Sequence, residues 1–188
     1  MSIDLCGVFS NRPDAYGLTR AREAGIETQC IEHGAFDSRE QFDRAVAEAL
    51  APWEPELLVL AGFMRILSPW FVQHYAGRIL NIHPALLPHY PGLNTHERVI
   101  AAGDTHHGST VHFVTEELDG GPRIVQGRIR VAPSTDPDEL MQRVQAVEHR
   151  IYPAAADWFG AGRLKMQDGA TWLDDKPLDD PVILDFDL

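Results

Sequence analysis

The hydrophobic positions of this chain change period several times along its length. Residues 3–9 form an apolar run stopped by the turn formers Ser10 to Asp14, which predicts a strand. A short helix over 15–24, ended by Gly25, and a second strand over 26–30 follow. Ser38 and Gln41 make a capping box, and behind it Phe42, Ala45, Val46 and Ala49 share one helical face. The apolar run at 56–62 has the pattern of a parallel strand covered on both faces. Next come a short helix at 69–75, a strand at 78–83, a proline-rich loop at 84–94 and a helix at 95–102.

Strands at 110–114 and 124–131 flank the glycine-rich turn at 119–122. Asp136, Pro137 and Glu139 open the longest helix as N-cap, first residue and third residue, and Leu140, Val144, Val147 and Ile151 give it an apolar stripe. Residues 163–167 and 171–173 predict a closing hairpin. The acidic tail, residues 174–188, is expected to be loosely held. Strand and helix alternate with no linker and no internal repeat. This predicts one α/β domain over residues 1–188, with a mostly parallel open sheet and flanking helices.

Composition narrows the function classes. Sixteen basic against 28 acidic residues give a net charge of −12, with no Lys/Arg cluster, which argues against a nucleic-acid partner. The longest apolar stretch, residues 57–64, is too short to span a bilayer, so no membrane role is expected. Residues 1–4 do not read as a signal peptide. The two cysteines, Cys6 and Cys30, lie in strand-like runs and read as buried free thiols of a reducing cytoplasm.

Six of the nine histidines, His83, His89, His96, His106, His107 and His112, fall within 30 residues. Their spacing matches no zinc pattern, and His96-Glu97 is followed by Ile100 where H-E-x-x-H needs its second histidine. No metal is expected, and most of these side chains read as loop polar groups. Asn81 and His83 differ. Two apart on a strand, they project to the same side at its C-terminal end, where open α/β sheets place their ligands. An amide beside an imidazole can polarise a carbonyl and pass protons; the alternative is a hydrogen-bonded strand end without chemistry. Asp119 precedes two glycines and reads either as a turn residue or, if the fold brings it to His83, as a carboxylate favouring the protonated imidazole. Residues 62–67 follow the 56–62 strand and either line a pocket for a flat heterocycle or continue the core. Arg39 and Glu148 alone read as solvated helix charges.

Taken in order, Ala61-Gly62-Phe63-Met64-Arg65-Ile66-Leu67-Ser68, Leu80-Asn81-Ile82-His83-Pro84, Leu86-Leu87-Pro88, Tyr90-Pro91-Gly92 and Leu118-Asp119-Gly120-Gly121-Pro122 closely resemble the phosphoribosylglycinamide formyltransferase family of purine synthesis. The resemblance runs from about Val8 to Leu173. It implies the Rossmann-like formyltransferase fold and transfer of a formyl group from 10-formyltetrahydrofolate, as co-substrate, to the amine of glycinamide ribonucleotide. Asn81 matches the asparagine that holds the formyl oxygen, His83 the proton donor, and Asp119 the carboxylate that keeps it protonated. Met64, Arg65, Ile66 and Leu67 match the run around the folate ring, Arg39 an arginine of the folate site, and Glu148 a glutamate that holds the ribonucleotide. The loop at 84–96 matches a segment that orders over the site.

One part of the family pattern has no counterpart. The family opens with a strand, a glycine-rich G-x-G-S-N loop that binds the substrate phosphate, and a helix. Here residues 3–9 match the family's second strand, which implies N-terminal truncation relative to the family or a displaced start at Met1. The missing strand is internal to the family's sheet, so an exposed sheet region and homo-oligomerisation are expected consequences. Two alternatives to transfer follow: hydrolysis of formyltetrahydrofolate, or an inactive folate-binding fragment.

Overall fold

The computed structural model describes residues 2–132 and 135–188. Met1, together with the reading of it as a displaced start, lies outside them. In chain order the elements are β1 (Val8–Ser10), α1 (Tyr16–Glu23), β2 (Thr28–Cys30), α2 (Arg39–Leu50), β3 (Leu58–Leu60), α3 (Pro69–His74), β4 (Ile79–His83), α4 (Thr95–Ala102), β5 (His106–Phe113), β6 (Arg123–Arg130), α5 (Pro137–Gly160), β7 (Leu164–Gln167), β8 (Ala170–Leu173), β9 (Lys176–Pro177) and β10 (Val182–Asp185). The predicted caps are formed. Ser38 accepts from the Gln41 N–H, and Asp136 accepts from the Asp138 and Glu139 N–H groups.

The strands make three sheets: β1–β2, the five-stranded β10-β6-β5-β4-β3, and the antiparallel β7-β8-β9. In the first two, β1–β2, β3–β4 and β6–β10 pair parallel, while β5 runs antiparallel to both neighbours. The two hydrophobic clusters follow from alternation along β4. Ile79 joins Phe42, Val46 and Leu50 of α2 and Phe71 of α3; its neighbour Leu80, facing the opposite side, joins Val111, Phe113, Ile124 and the α5 stripe Leu140, Val144, Val147 and Ile151. Each fully buried side chain of this size contributes about 1.5–3 kcal/mol of transfer free energy.

Four expectations are corrected. The first strand is only Val8–Ser10, because β1 pairs with β2 alone and nothing extends the ladder over residues 3–7. The apolar run at 56–62 is not covered on both faces: β3 is an edge strand, and Val59 is 45% exposed. Cys6 and Cys30 are free but exposed, since the two-stranded sheet that holds Cys30 has little to bury it. The tail is not loose. Val182 to Asp185 pair parallel with Val125 to Arg128, Asp185 forms two hydrogen bonds with the Arg128 guanidinium, and Phe186 packs on the core cluster.

Candidate active site

Asn81 and His83 stand at the C-terminal end of β4, on one face, as their spacing requires. Opposite Asn81 in the antiparallel register is His112 of β5. The His112 Nδ1–H donates to the Phe113 carbonyl at 2.8 Å, which leaves Nε2 as an acceptor for the Asn81 Nδ2–H at 3.3 Å. Burial pushes the His112 pKa down, so the ring is neutral and able to accept. The network therefore sets the Asn81 amide, with one N–H engaged and its other N–H and Oδ1 left for a ligand.

His83 is buried. Its Nε2 lies 2.9 Å from the Tyr90 carbonyl, which can only accept, so Nε2 carries hydrogen. Nδ1 is then the nitrogen that takes up or releases a proton, and Asp119 Oδ2 stands 3.6 Å from it. Both side chains of this pair are more than nine-tenths buried. Asp119 reaches the site from a tight turn. It has φ 53°, Phe113 N–H donates to the Pro122 carbonyl across the turn, and a Cβ at Gly121 would lie 1.8 Å from the Phe113 carbonyl oxygen. Only glycine allows that close return of the chain.

The loop after β4 is fastened along its length. Leu87 donates its N–H to Thr110 Oγ1, and its carbonyl accepts from Arg123 and Gln126. Thr110 Oγ1 donates to the Ala85 carbonyl at 2.6 Å. Beyond it, the Gly92 N–H donates to Asp119 Oδ2 at 3.0 Å. Underneath, Ser109 Oγ lies 2.7 Å from the His83 carbonyl and 3.0 Å from Glu148 Oε1. Burial pushes the Glu148 carboxyl above its usual range, against the lowering effect of the Ser109 hydrogen bond. One turn later on α5, Tyr152 reaches the carbonyls of Leu60 and Leu80 at 2.7 and 2.9 Å.

The run after β3 starts at Gly62, φ 63°, and presents Met64 and Ile66, 79% and 57% exposed, as an apolar rim. Leu67 and Phe63 turn inward onto the α2 cluster. The Arg65 guanidinium lies 5.1 Å from the Phe42 ring centroid, and its buried Nε has no hydrogen-bond partner. The buried Asp43 accepts from the Ser68 N–H at 2.6 Å and fixes the end of the run.

The fold thus brings Asn81, His83 and Asp119 together, with Glu148 one hydroxyl away. Arg39 sits exposed at the first turn of α2, without a described contact to the Met64–Leu67 run or to the Asn81–His83 cluster. His107 and His112 are not loop groups; both are buried in β5. His107 Nε2 lies 3.0 Å from His96 Nδ1, and burial pushes His107 down to about 4. Sequence reasoning placed His112 only among the loop histidines, and did not single out Ser109, Thr110, Gln126, Asp43 or Tyr152. Strand alternation marks His112 as sharing a face with Thr110; the others left no signal. A concavity of about 490 Å³ behind the Asp119 turn, lined by Glu117, Arg123, Asp179 and Asp180, does not include Asn81 or His83.

Residues 1–156 match the family described as formyl transferase. Phosphoribosylglycinamide formyltransferase of Escherichia coli (strain K12) is 56% identical over 171 residues, covering 91% of this chain and 81% of that protein. The protein of the same name from Haemophilus influenzae is 46% identical over the same shares. Among solved structures, phosphoribosylglycinamide formyltransferase from Coxiella burnetii, in complex with CHES, superposes with a TM-score of 0.93 at 50% identity, covering 97% of this chain and 86% of that one. With the carboxyl-edge cluster of Asn81, His83 and Asp119 built as described, the chain belongs to the formyl transferase family.

Proposed function

We propose that this chain is an enzyme that transfers a formyl group from 10-formyltetrahydrofolate to the amine of glycinamide ribonucleotide, the phosphoribosylglycinamide formyltransferase step of purine synthesis. The observation that carries this is the Asn81–His83–Asp119 constellation, an amide and an imidazole on one face of β4 with a buried carboxylate 3.6 Å from the imidazole Nδ1. The relatives that bear this name cover most of the chain at 46–56% identity.

In this mechanism the amine nitrogen attacks the formyl carbon, and the carbonyl electron pair moves to oxygen. The free Asn81 N–H and protonated His83 Nδ1 stabilise that oxyanion. Collapse re-forms the carbonyl and breaks the bond to folate N10. The proton shed by the amine reaches N10 by way of the His83–Asp119 pair. No covalent enzyme intermediate forms.

Met64, Arg65, Ile66 and Leu67 hold the folate ring, with Arg39 toward its acidic tail. Glu148, its carboxyl raised by burial, bonds ribonucleotide hydroxyls. Both ligands are small molecules and no nucleic acid or membrane takes part. Among the described residues no helix is long and apolar enough to cross a membrane. The setting proposed is the cytoplasm, and the free edges of β1 and β3 suit self-association. The sequence holds no match to the glycine-rich phosphate loop, so phosphate is assigned to no residue.

The test follows a labelled formyl group from 10-formyltetrahydrofolate with and without glycinamide ribonucleotide. Label on the ribonucleotide amine is expected. Label released only as formate in both arms would replace transfer by hydrolysis, and unreacted folate in both would leave a binding protein.

A further inference from the structure

We infer that Arg98 is a positioning residue of this site: from α4 it holds the Tyr90–Leu93 turn onto His83 and Asp119, and so fixes which imidazole nitrogen carries the proton. This takes His83 to be the acid of formyl transfer, as proposed above.

The turn needs holding. Tyr90 and Asn94 have φ 56°, and Gly92 has φ 80°. Side-chain-bearing residues persist in that region only where surrounding contacts over-determine them. Arg98 supplies those contacts. Its Nη1 donates to the Pro91 carbonyl at 2.7 Å and the Leu93 carbonyl at 3.2 Å, and its guanidinium lies 5.2 Å from the Tyr90 ring centroid. On the other side of the turn the Tyr90 hydroxyl donates to Asp104 at 2.6 Å.

What the turn does, once held, is local to the reacting groups. Its Tyr90 carbonyl accepts from His83 Nε2 at 2.9 Å, and its Gly92 N–H donates to Asp119 Oδ2 at 3.0 Å. A carbonyl accepts and never donates, so Nε2 keeps its hydrogen and Nδ1 is reserved for exchange with the substrate and Asp119. Without the tether the turn is free to leave both groups. The neutral imidazole then distributes its hydrogen over both nitrogens, and the share of molecules with a competent Nδ1 falls. Arg98 is exposed and outside both hydrophobic clusters, so its removal leaves the core intact.

The experiment compares the full chain with Arg98→Ala and Arg98→Lys by two-bond 1H–15N imidazole spectra recorded across a pH series and read at its alkaline end; His83→Gln assigns the signal. The parent is expected to show the Nε2–H form, Arg98→Ala a mixture of both tautomers, and Arg98→Lys a partial return to the parent pattern. In the formyl-transfer assay Arg98→Ala is expected to lower kcat about tenfold with both KM values little changed. A His83 pattern in Arg98→Ala identical to the parent overturns the inference, whatever happens to kcat. A tautomer change in a chain whose parent moves no formyl group upholds the positioning role while removing the functional reading.

Discussion

Asn81 and His112 face each other across β4 and β5, and the amide donates to an imidazole nitrogen that burial keeps unprotonated. The pairing turns a side chain with two interchangeable orientations into one with a fixed donor. Replacing His112 by Phe removes the acceptor, keeps an aromatic ring in the buried space, and frees the amide to flip. Steady-state kinetics on His112→Phe should give a kcat about tenfold below the parent with the thermal midpoint only modestly reduced. An unchanged kcat would separate Asn81 from His112.

The His96–His107 pair makes a pH-dependent contribution to stability. His107, folded, titrates near 4, below the ordinary 6.5, because burial disfavours its charge. Between those values the unfolded chain binds more protons than the folded one, so stability rises with pH through this window and levels off above about 6.5. Its contribution, on the order of 1–3 kcal/mol, is lost as pH falls toward 4. An imidazole NMR titration should place the His107 midpoint near 4; a midpoint above 6 would contradict the buried neutral pair.

The C-terminal strand closes one edge of the main sheet. Ending the chain at Pro181 removes β10 and the Phe186 contact, and exposes the β6 edge. Hydrogen exchange should then quicken along Val125 to Arg128 and leave the α2 cluster protected. Unchanged exchange in β6 would mean that the tail adds nothing to the sheet.

Local signals carried much of this fold into the sequence. Ser38 and Asp136 announce their helices because a cap is made within three residues. Asn81 and His83 were legible because period-2 alternation ends abruptly at Pro84. Long-range pairing was not. Val182 meets Val125 across 57 positions in a parallel register that leaves no local pattern, so the tail looked loose. The apolar run at Leu58 to Leu60 could not reveal that β3 has a neighbour on one side only. Within the site the Tyr90 carbonyl and Gly92 N–H were invisible for a further reason: every residue but proline carries such groups, and only the fold selects which are used.

The central claim is that Asn81 and His83 stabilise the oxyanion of formyl transfer. Its most direct test is the rate of formyl transfer to glycinamide ribonucleotide by the parent, Asn81→Ala and His83→Ala at saturating folate. Transfer by the parent, with each variant at least about a hundredfold slower in kcat and still able to bind a folate analogue, is the predicted result. Either variant turning over at the parent rate would contradict it.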